Sequence, residues 1–189
     1  MVKDLNSQKK KELKKRNKKN QLIILKQLDL NKDITKKYQK WMNDPEVHKY
    51  TEQKYKRHSL MDIRNFVKEK NKSKNNFLYG IFLIQNNLSE HIGNIKLGPI
   101  NLIHKSAEIS YFIGAKELWG NGYTTKAIKE IIKIAKNKGI KKLKAGLIEN
   151  NIGSKKVLIK NGFKVEGKLK AELIFNRKRV DSFLMGKIL

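Results

Sequence analysis

Cysteine is absent from this chain of 189 residues. That excludes a disulfide framework, a thiolate nucleophile and a thiolate metal site. Acidic residues are scarce: 17 Asp and Glu stand against 44 Lys and Arg, a formal net charge of +27. Such an excess points to anionic partners, whether nucleic acid, a membrane surface or phosphorylated small molecules. A broader reading competes with it. Lys, Asn and Ile are abundant together, the mark of a compositional bias rather than of one built patch. Long apolar runs are also missing. No stretch approaches the ~18 residues of a membrane span, and the charged N-terminus lacks the apolar region of a secretory signal. A soluble, cytoplasmic protein without a membrane span is expected, long enough for one domain with a real core.

Several chemical motifs are missing as well. The four histidines, His48, His58, His91 and His104, fall in no metal-ligand spacing, so no metal site is expected. Gly162 to Lys168 spells Gly-x4-Gly-Lys, but Leu169 stands where a phosphate loop needs Ser or Thr. Gly120 and Gly122 lack the third glycine of a dinucleotide fingerprint, since Thr125 takes its place. There is no Gly-x-Ser-x-Gly elbow, which argues against a serine hydrolase.

What is present begins with a basic segment. Residues 1–20 carry nine Lys or Arg side chains around Leu5 and Leu13 alone. They read as a solvated tail, with a nucleic-acid or ribosome-binding arm as the sharper alternative. A first strand is predicted at 21–28. A helix over 34–43 follows, capped by Asp33, with Tyr38, Trp41 and Met42 as its apolar surface. Asn43-Asp44-Pro45 stops it, because the residue before proline leaves the helical region. A second helix starts at Ser59, with Asp62 closing a capping box and Leu60, Ile63, Phe66 and Val67 facing inward. Strands are predicted at 77–85, at 91–97 up to a break at Gly98-Pro99, and at 107–114. In the last of these, Ala107, Ile109, Tyr111 and Ile113 take one face and Glu108, Ser110 and Phe112 the other.

Trp119-Gly120-Asn121-Gly122-Tyr123 comes next, opening onto a helix. The stripe Ala127, Ile128, Ile131, Ile132, Ala135 has helical spacing, and Gly139 closes it. Two glycines one residue apart let a ligand approach the backbone. A helix N-terminus behind them is a ready anion site; an ordinary loop-to-helix turn is the bland alternative. A strand at 142–149, a short helix at 152–161 opened by Asn151 and Ser154, the start of a strand at 163–165, and two final strands at 170–175 and 180–188 complete the chain. The order is βααβββαβαββ, a mixed α/β domain over residues 21–189.

Together these stretches resemble the GNAT superfamily of acyl-CoA N-acyltransferases, and within it the RimJ/RimL-like branch. The resemblance rests on Asn43-Asp44-Pro45-Glu46-Val47, His91-Ile92-Gly93-Asn94-Ile95, Ala107-Glu108-Ile109-Ser110-Tyr111, the segment from Trp119 to Ala127, and the run from Glu149 to Phe163. Glu117, Ser110 and Lys126 depart from the family pattern. The resemblance implies a twisted, mostly antiparallel sheet flanked by helices. It implies acetyl-CoA, with no metal, in a cleft where the strand at 107–114 diverges from that at 142–149. The pyrophosphate is expected on the backbone of Trp119, Gly120, Asn121, Gly122 and Tyr123, with Thr124 following. The acyl oxygen is expected on backbone near Phe112 or Ile113.

The implied chemistry is attack of a neutral amine on the acetyl group. An alkyl ammonium has a pKa of about 10, so its proton must be removed. Glu108, read as a carboxylate on a buried strand, is the candidate base, directly or through water; a structural salt bridge to a lysine is its alternative. No tyrosine lies on the last helix to serve the leaving thiolate, so Ser154 is the candidate hydrogen-bond donor, with Asn151 ordering the pantetheine end. Residues 34–66 and 99–106 should shape the acceptor pocket, with Trp41, His48, Tyr50, Phe82 and His104 as candidates. Positive charge argues against a polyamine. It fits a nucleotide-linked amino sugar or a protein N-terminal amine, and the stretch from His91 to His104 resembles relatives in surface-sugar pathways. The competing function is a non-catalytic RNA- or ribosome-associated module on the same fold.

Overall fold

The computed structural model describes residues 21–189. The basic segment 1–20, expected as a tail or nucleic-acid arm, lies outside the described residues. The strands are β1 (Leu22–Gln27), β2 (Phe77–Gln85), β3 (Leu88–Asn101), β4 (Ser106–Ile113), β5 (Lys142–Ile148), β6 (Lys164–Phe175) and β7 (Lys178–Ile188). They form one sheet in the order β1-β2-β3-β4-β5-β7-β6. The α-helices among the described residues are α1 (Lys36–Met42), α2 (Leu60–Lys72), α3 (Tyr123–Asn137) and α4 (Ile152–Lys160). The chain order is the predicted βααβββαβαββ.

Every neighbouring pair is antiparallel except β4 and β5. That pair is parallel and brief: Ser106, Ala107 and Glu108 face Lys142, Leu143 and Lys144, and no pairing continues beyond. A parallel neighbour needs a crossover, and α3 supplies it. The apolar stripe of α3 is buried to completion at Ala127, Ile128, Ile131 and Ala135. Gly139 ends the helix at φ +74. Its N–H donates to Lys136 O at 2.9 Å, and that of Ile140 to Ala135 O at 3.0 Å, so the last carbonyls are satisfied. The well-buried helix fixes β5 against the start of β4, and the unpaired remainder of both strands forms a cleft.

Helix α1 begins at Lys36, with Thr35 rather than Asp33 as its cap. The Thr35 hydroxyl accepts the Tyr38 N–H at 3.2 Å. The Asp33 carboxylate is already used in the preceding turn, where it accepts the Asp29 N–H at 2.8 Å. The predicted capping box of α2 forms: Ser59 Oγ accepts the Asp62 N–H, and the Asp62 carboxylate accepts the Ser59 N–H at 2.8 Å. Such a cap is worth about 1 kcal/mol. Ile63 and Val67 are buried beneath α2. Phe66, expected beside them, is 42% exposed because it borders a cavity.

Two strands run longer than their sequence signals. β3 extends to both sides of residues 91–97, absorbing Gly98 and Pro99 as an irregularity between Leu97 and Ile100. The pieces expected at 163–165 and 170–175 are one strand, β6, with irregularities near Gly167 and between Leu169 and Leu173. The second is held by Asp181, whose carboxylate accepts the Ala171 N–H at 2.8 Å. A side chain from the neighbouring strand thus repairs what a sequence window reads as a strand end.

Candidate active site

The turn before α3 is rich in unused donors. The Trp119 N–H is taken by Lys116 O at 3.0 Å. From Gly120 to Thr125, the backbone N–H groups meet no protein acceptor among the described residues. The next, Lys126, bonds Gly122 O at 3.1 Å as the helix proper begins. Gly120 and Gly122 sit at φ +76 and +80, and a Cβ on either would meet nothing within 4 Å. No side chain caps α3, and no acid stands in its first turn. The run of donors therefore begins at Gly120, one residue later than the sequence suggests. It opens outward at the positive end of a helix dipole.

The side chains of this turn are spent on holding its shape. The Trp119 indole donates to Ile113 O at 2.8 Å, tying the turn to the end of β4. Asn121 Nδ2 donates back to Leu118 O at 3.1 Å. Tyr123 is buried, with its hydroxyl on Gln21 Oε1 at 2.7 Å. Thr124 is half-buried in the first turn of α3. What these residues offer outward is backbone.

The cleft beside the turn has its own donors. Gly114 N–H bonds Ile92 O at 2.9 Å, and Phe112 pairs with Asn94 in the same register. By the alternation of an antiparallel ladder, the Phe112 N–H points to β3, while those of Tyr111 and Ile113 point the other way, into the gap left by β5. Across that gap the Tyr111 hydroxyl meets Ser154 Oγ at 2.6 Å. Asn151 accepts the Ser154 N–H at 3.1 Å and so caps α4. Burial pushes the Tyr111 phenol up to about 12, with the Ser154 hydrogen bond pulling the other way. A search for tyrosine on the last helix misses this residue, because it reaches the serine from β4.

A cavity of about 820 Å³ opens on the other side of β4. Its floor is the sheet face carrying Leu78, Asn94, Lys96, Ser110 and Phe112, and α1, α2 and the loop between them contribute the walls. Asn43 closes that loop: its side chain accepts the His58 N–H and donates to the His58 carbonyl, both at 2.8 Å. His48 lines the cavity and is 2% exposed. His48 Nδ1 and the Thr51 hydroxyl share a hydrogen bond at 3.0 Å. Nε2 is left without a partner among the described residues. Burial, then repulsion from His58, holds this imidazole down to about 4, so it is neutral.

The other acceptor candidates are dispersed. Trp41 and Phe82 are core residues that pack on the His91 ring. A Cβ on Gly114 would overlap the Trp41 indole, which explains glycine at the end of β4. Tyr50 stacks on Phe175 of the β6–β7 hairpin, with centroids 5.5 Å apart. His104 is exposed in the β3–β4 turn. Neither of these two lines the cavity. Glu108 is exposed, not buried, because strand alternation turns it, with the exposed Ser110, away from the buried face of Ala107 and Ile109. It shares a face with Ser110 and Phe112, lies outside the cavity lining and makes no ion pair among the described residues. The sequence reading missed Lys56, Arg57, His58 and Lys96, which do line the cavity.

The sequence matches the Acetyltransferase (GNAT) domain family over residues 23–164, and the chain belongs to that family. An uncharacterized protein of Methanocaldococcus jannaschii is 34% identical over 84 residues, covering 44% of this chain and 17% of that protein. The chain thus corresponds to a small part of that relative's length. Among solved structures, the microcin C7 self-immunity acetyltransferase MccE, in complex with acetyl-CoA and AMP, matches with a TM-score of 0.73 and 21% identity, covering 89% of this chain and 93% of that one. RimL, a ribosomal L7/L12 α-N-protein acetyltransferase in complex with coenzyme A, matches with a TM-score of 0.76 and 19% identity, covering 89% and 94%. At these identities the likeness is one of fold. No helix of the described residues is long and apolar enough to cross a membrane.

Proposed function

We propose that the protein moves an acetyl group from acetyl-CoA to a primary amine by direct attack, with both substrates bound together. The acceptor is a nucleotide-linked amino sugar or a protein N-terminal amine, and the first is favoured. The observation that carries this reading is the run of unpaired N–H groups from Gly120 to Thr125, beside the split between β4 and β5. Acetyl-CoA supplies the activated acyl group, and its pyrophosphate suits those donors. The N–H groups of Tyr111 and Ile113 suit the acyl oxygen as negative charge develops on it. Ser154, a weak acid, serves the leaving thiolate by hydrogen bonding, and Asn151 borders the same end of the cleft.

The amine must arrive neutral. Glu108 is proposed to take its proton through water. In support, Glu108 lies one pleat beyond Ser110, on the face that Ser110 and Phe112 turn toward the cavity. The acceptor is assigned to that cavity, whose size is within the usual range for small-molecule sites. A nucleotide-linked acceptor fits the cationic wall, and AMP is present in the MccE structure of the same fold. A polyamine fits that wall poorly, since like charges repel.

Two measurements test this. Coenzyme A should raise the melting temperature. In a screen read by coenzyme A release, nucleotide-linked amino sugars should exceed polyamines and N-terminal peptides. If no amine raises release above hydrolysis, and the protein binds RNA in a salt-sensitive manner with no response to coenzyme A, the binding-module function replaces this one.

A further inference from the structure

The cavity contains a cation where a sheet interior ordinarily carries apolar side chains. Lys96 lies on the floor, paired across the strands with Leu78 on β2 and Ser110 on β4. It is half-buried. No carboxylate comes within 4 Å of its amine among the described residues. A half-buried ammonium gives up hydration, and no carboxylate among the described residues replaces it.

The charges around it do not balance. Lys56 and Arg57, on the loop between α1 and α2, line the same cavity and are likewise without ion pairs among the described residues. Two carboxylates share the lining, Glu52 and Asp62. Asp62 is committed to the Ser59 N–H and hydroxyl in the capping box. Three cations thus face two carboxylates, one of them fixed in the capping box.

Two neutral groups add to the asymmetry. His48 presents an unpartnered Nε2 on a residue that is only 2% exposed. The Tyr38 oxygen accepts from Asn94 Nδ2 at 2.5 Å, which leaves its hydroxyl hydrogen for another acceptor. The unpartnered Nε2 and the half-buried Lys96 amine are costly in the free protein, while Lys56 and Arg57 are exposed and stay hydrated. One ligand carrying anionic oxygens and other polar groups meets the cations and gives Nε2 a partner.

We propose that Lys96, with Lys56 and Arg57 on the opposite wall, forms a phosphate-binding subsite, and that the acceptor is a small molecule carrying a nucleoside diphosphate. Arginine suits phosphate oxygens through its planar fork, and lysine as a point charge. An acidic peptide is the weaker fit, because the cations converge in a cavity instead of spreading along a surface. That the bound molecule is the acceptor rests on the acetyl-transfer reading above; that phosphate binds here does not.

The test is calorimetric titration of uridine diphosphate into the full chain saturated with coenzyme A, so that the turn at Gly120 is filled. UDP should bind. Lys96→Met, which keeps the aliphatic stem, should weaken UDP at least about tenfold and leave coenzyme A affinity unchanged. Arg57→Gln should weaken it several-fold. Lys133→Gln, on the exposed side of α3, should change neither. If Lys96→Met does not fold, the pair Lys56→Gln and Arg57→Gln on the exposed loop makes the same test. The proposal is overturned if UDP does not bind beside coenzyme A, if every variant binds it like the parent, or if an acidic peptide binds through these residues and UDP does not. If coenzyme A itself does not bind, the acetyl-transfer reading fails. UDP binding that is lost in Lys96→Met would then still support the subsite.

Discussion

Tyr111 and Ser154 share a 2.6 Å hydrogen bond that joins β4 to the first turn of α4. The bond crosses the gap where β4 and β5 have ceased to pair. It places a phenol behind the one hydroxyl proposed to meet the leaving thiolate. Because burial keeps that phenol protonated well above neutrality, it is able to serve as the donor of this bond, and the role proposed for Tyr111 is to orient and polarise the serine. Ser154→Ala should lower kcat by roughly 10²-fold, the scale of losing one donor at a developing charge. Tyr111→Phe should cost about tenfold, or ~1.4 kcal/mol. The double variant should be no slower than Ser154→Ala alone, since one residue acts through the other. Losses that simply add would separate the two residues. Coenzyme A affinity, measured on each variant, should not move.

Gly122 offers a test of the turn that does not depend on knowing the acceptor. Its φ of +80 penalises any side chain, and a Cβ there would point into open space. Gly122→Val should therefore destabilise the fold by ~1–2 kcal/mol through backbone strain alone. It should also raise the coenzyme A dissociation constant at least about tenfold, or ~1.4 kcal/mol, by standing over the free N–H groups. A folded variant with unchanged coenzyme A affinity would place the pyrophosphate elsewhere.

How much of this was legible beforehand depended on whether the signal was local. The stripe of α3, the Gly139 stop and the Ser59 box each lie within a few residues, and each formed as the spacing demands. The cap of α1 was misassigned because Asp33 and Thr35 are both good capping residues; only the turn back to Asp29 decides between them. β6 was read as two pieces because its irregularity is held by Asp181 from another strand. The cavity was the least legible part. Lys96 looks in sequence like any of the many lysines, and its meaning comes from Leu78 and Ser110 beside it in the sheet. Glu108 reads as buried because its strand lies in mid-sheet, yet strand alternation turns it, with the exposed Ser110, away from the buried face of Ala107 and Ile109.

Two imidazoles, the buried His48 and the half-buried His91, set a pH dependence of stability. Burial holds His48 down to about 4 and also lowers His91, whose Nε2–H donates to Gly93 O and Asn94 Oδ1. In the unfolded chain both return to about 6.5. Between these values the unfolded state binds protons that the native state refuses, so stability rises with pH across the window. It should be fully present above about pH 6.5 and be lost progressively as pH falls toward 4. Urea unfolding at pH 5.0 and 7.5 should show the difference. His48→Gln should reduce it, leaving the share of His91. Equal pH slopes in parent and variant would mean that His48 takes up its proton in the folded protein.

Glu108 is the residue proposed to take the ammonium proton. With the best amine from the acceptor screen, Glu108→Gln should lower turnover by roughly 10²-fold, the usual scale for removing a general base. Coenzyme A affinity should be unchanged, because the side chain is remote from the free donors of the turn. Raising the pH should partly rescue the variant, since more of the amine is then neutral before it binds. The exposed position sharpens the alternative. Had Glu108 been a structural partner of a lysine, its loss would lower stability; without an ion pair among the described residues, the melting temperature should stay within a degree or so of the parent. Unchanged turnover at unchanged stability would remove Glu108 from the reaction. The neutral imidazole of His48, with its unpartnered Nε2 in the cavity proposed for the acceptor, would then be the next group to test, and the pH profile of its own variant would show whether the proton leaves through that wall.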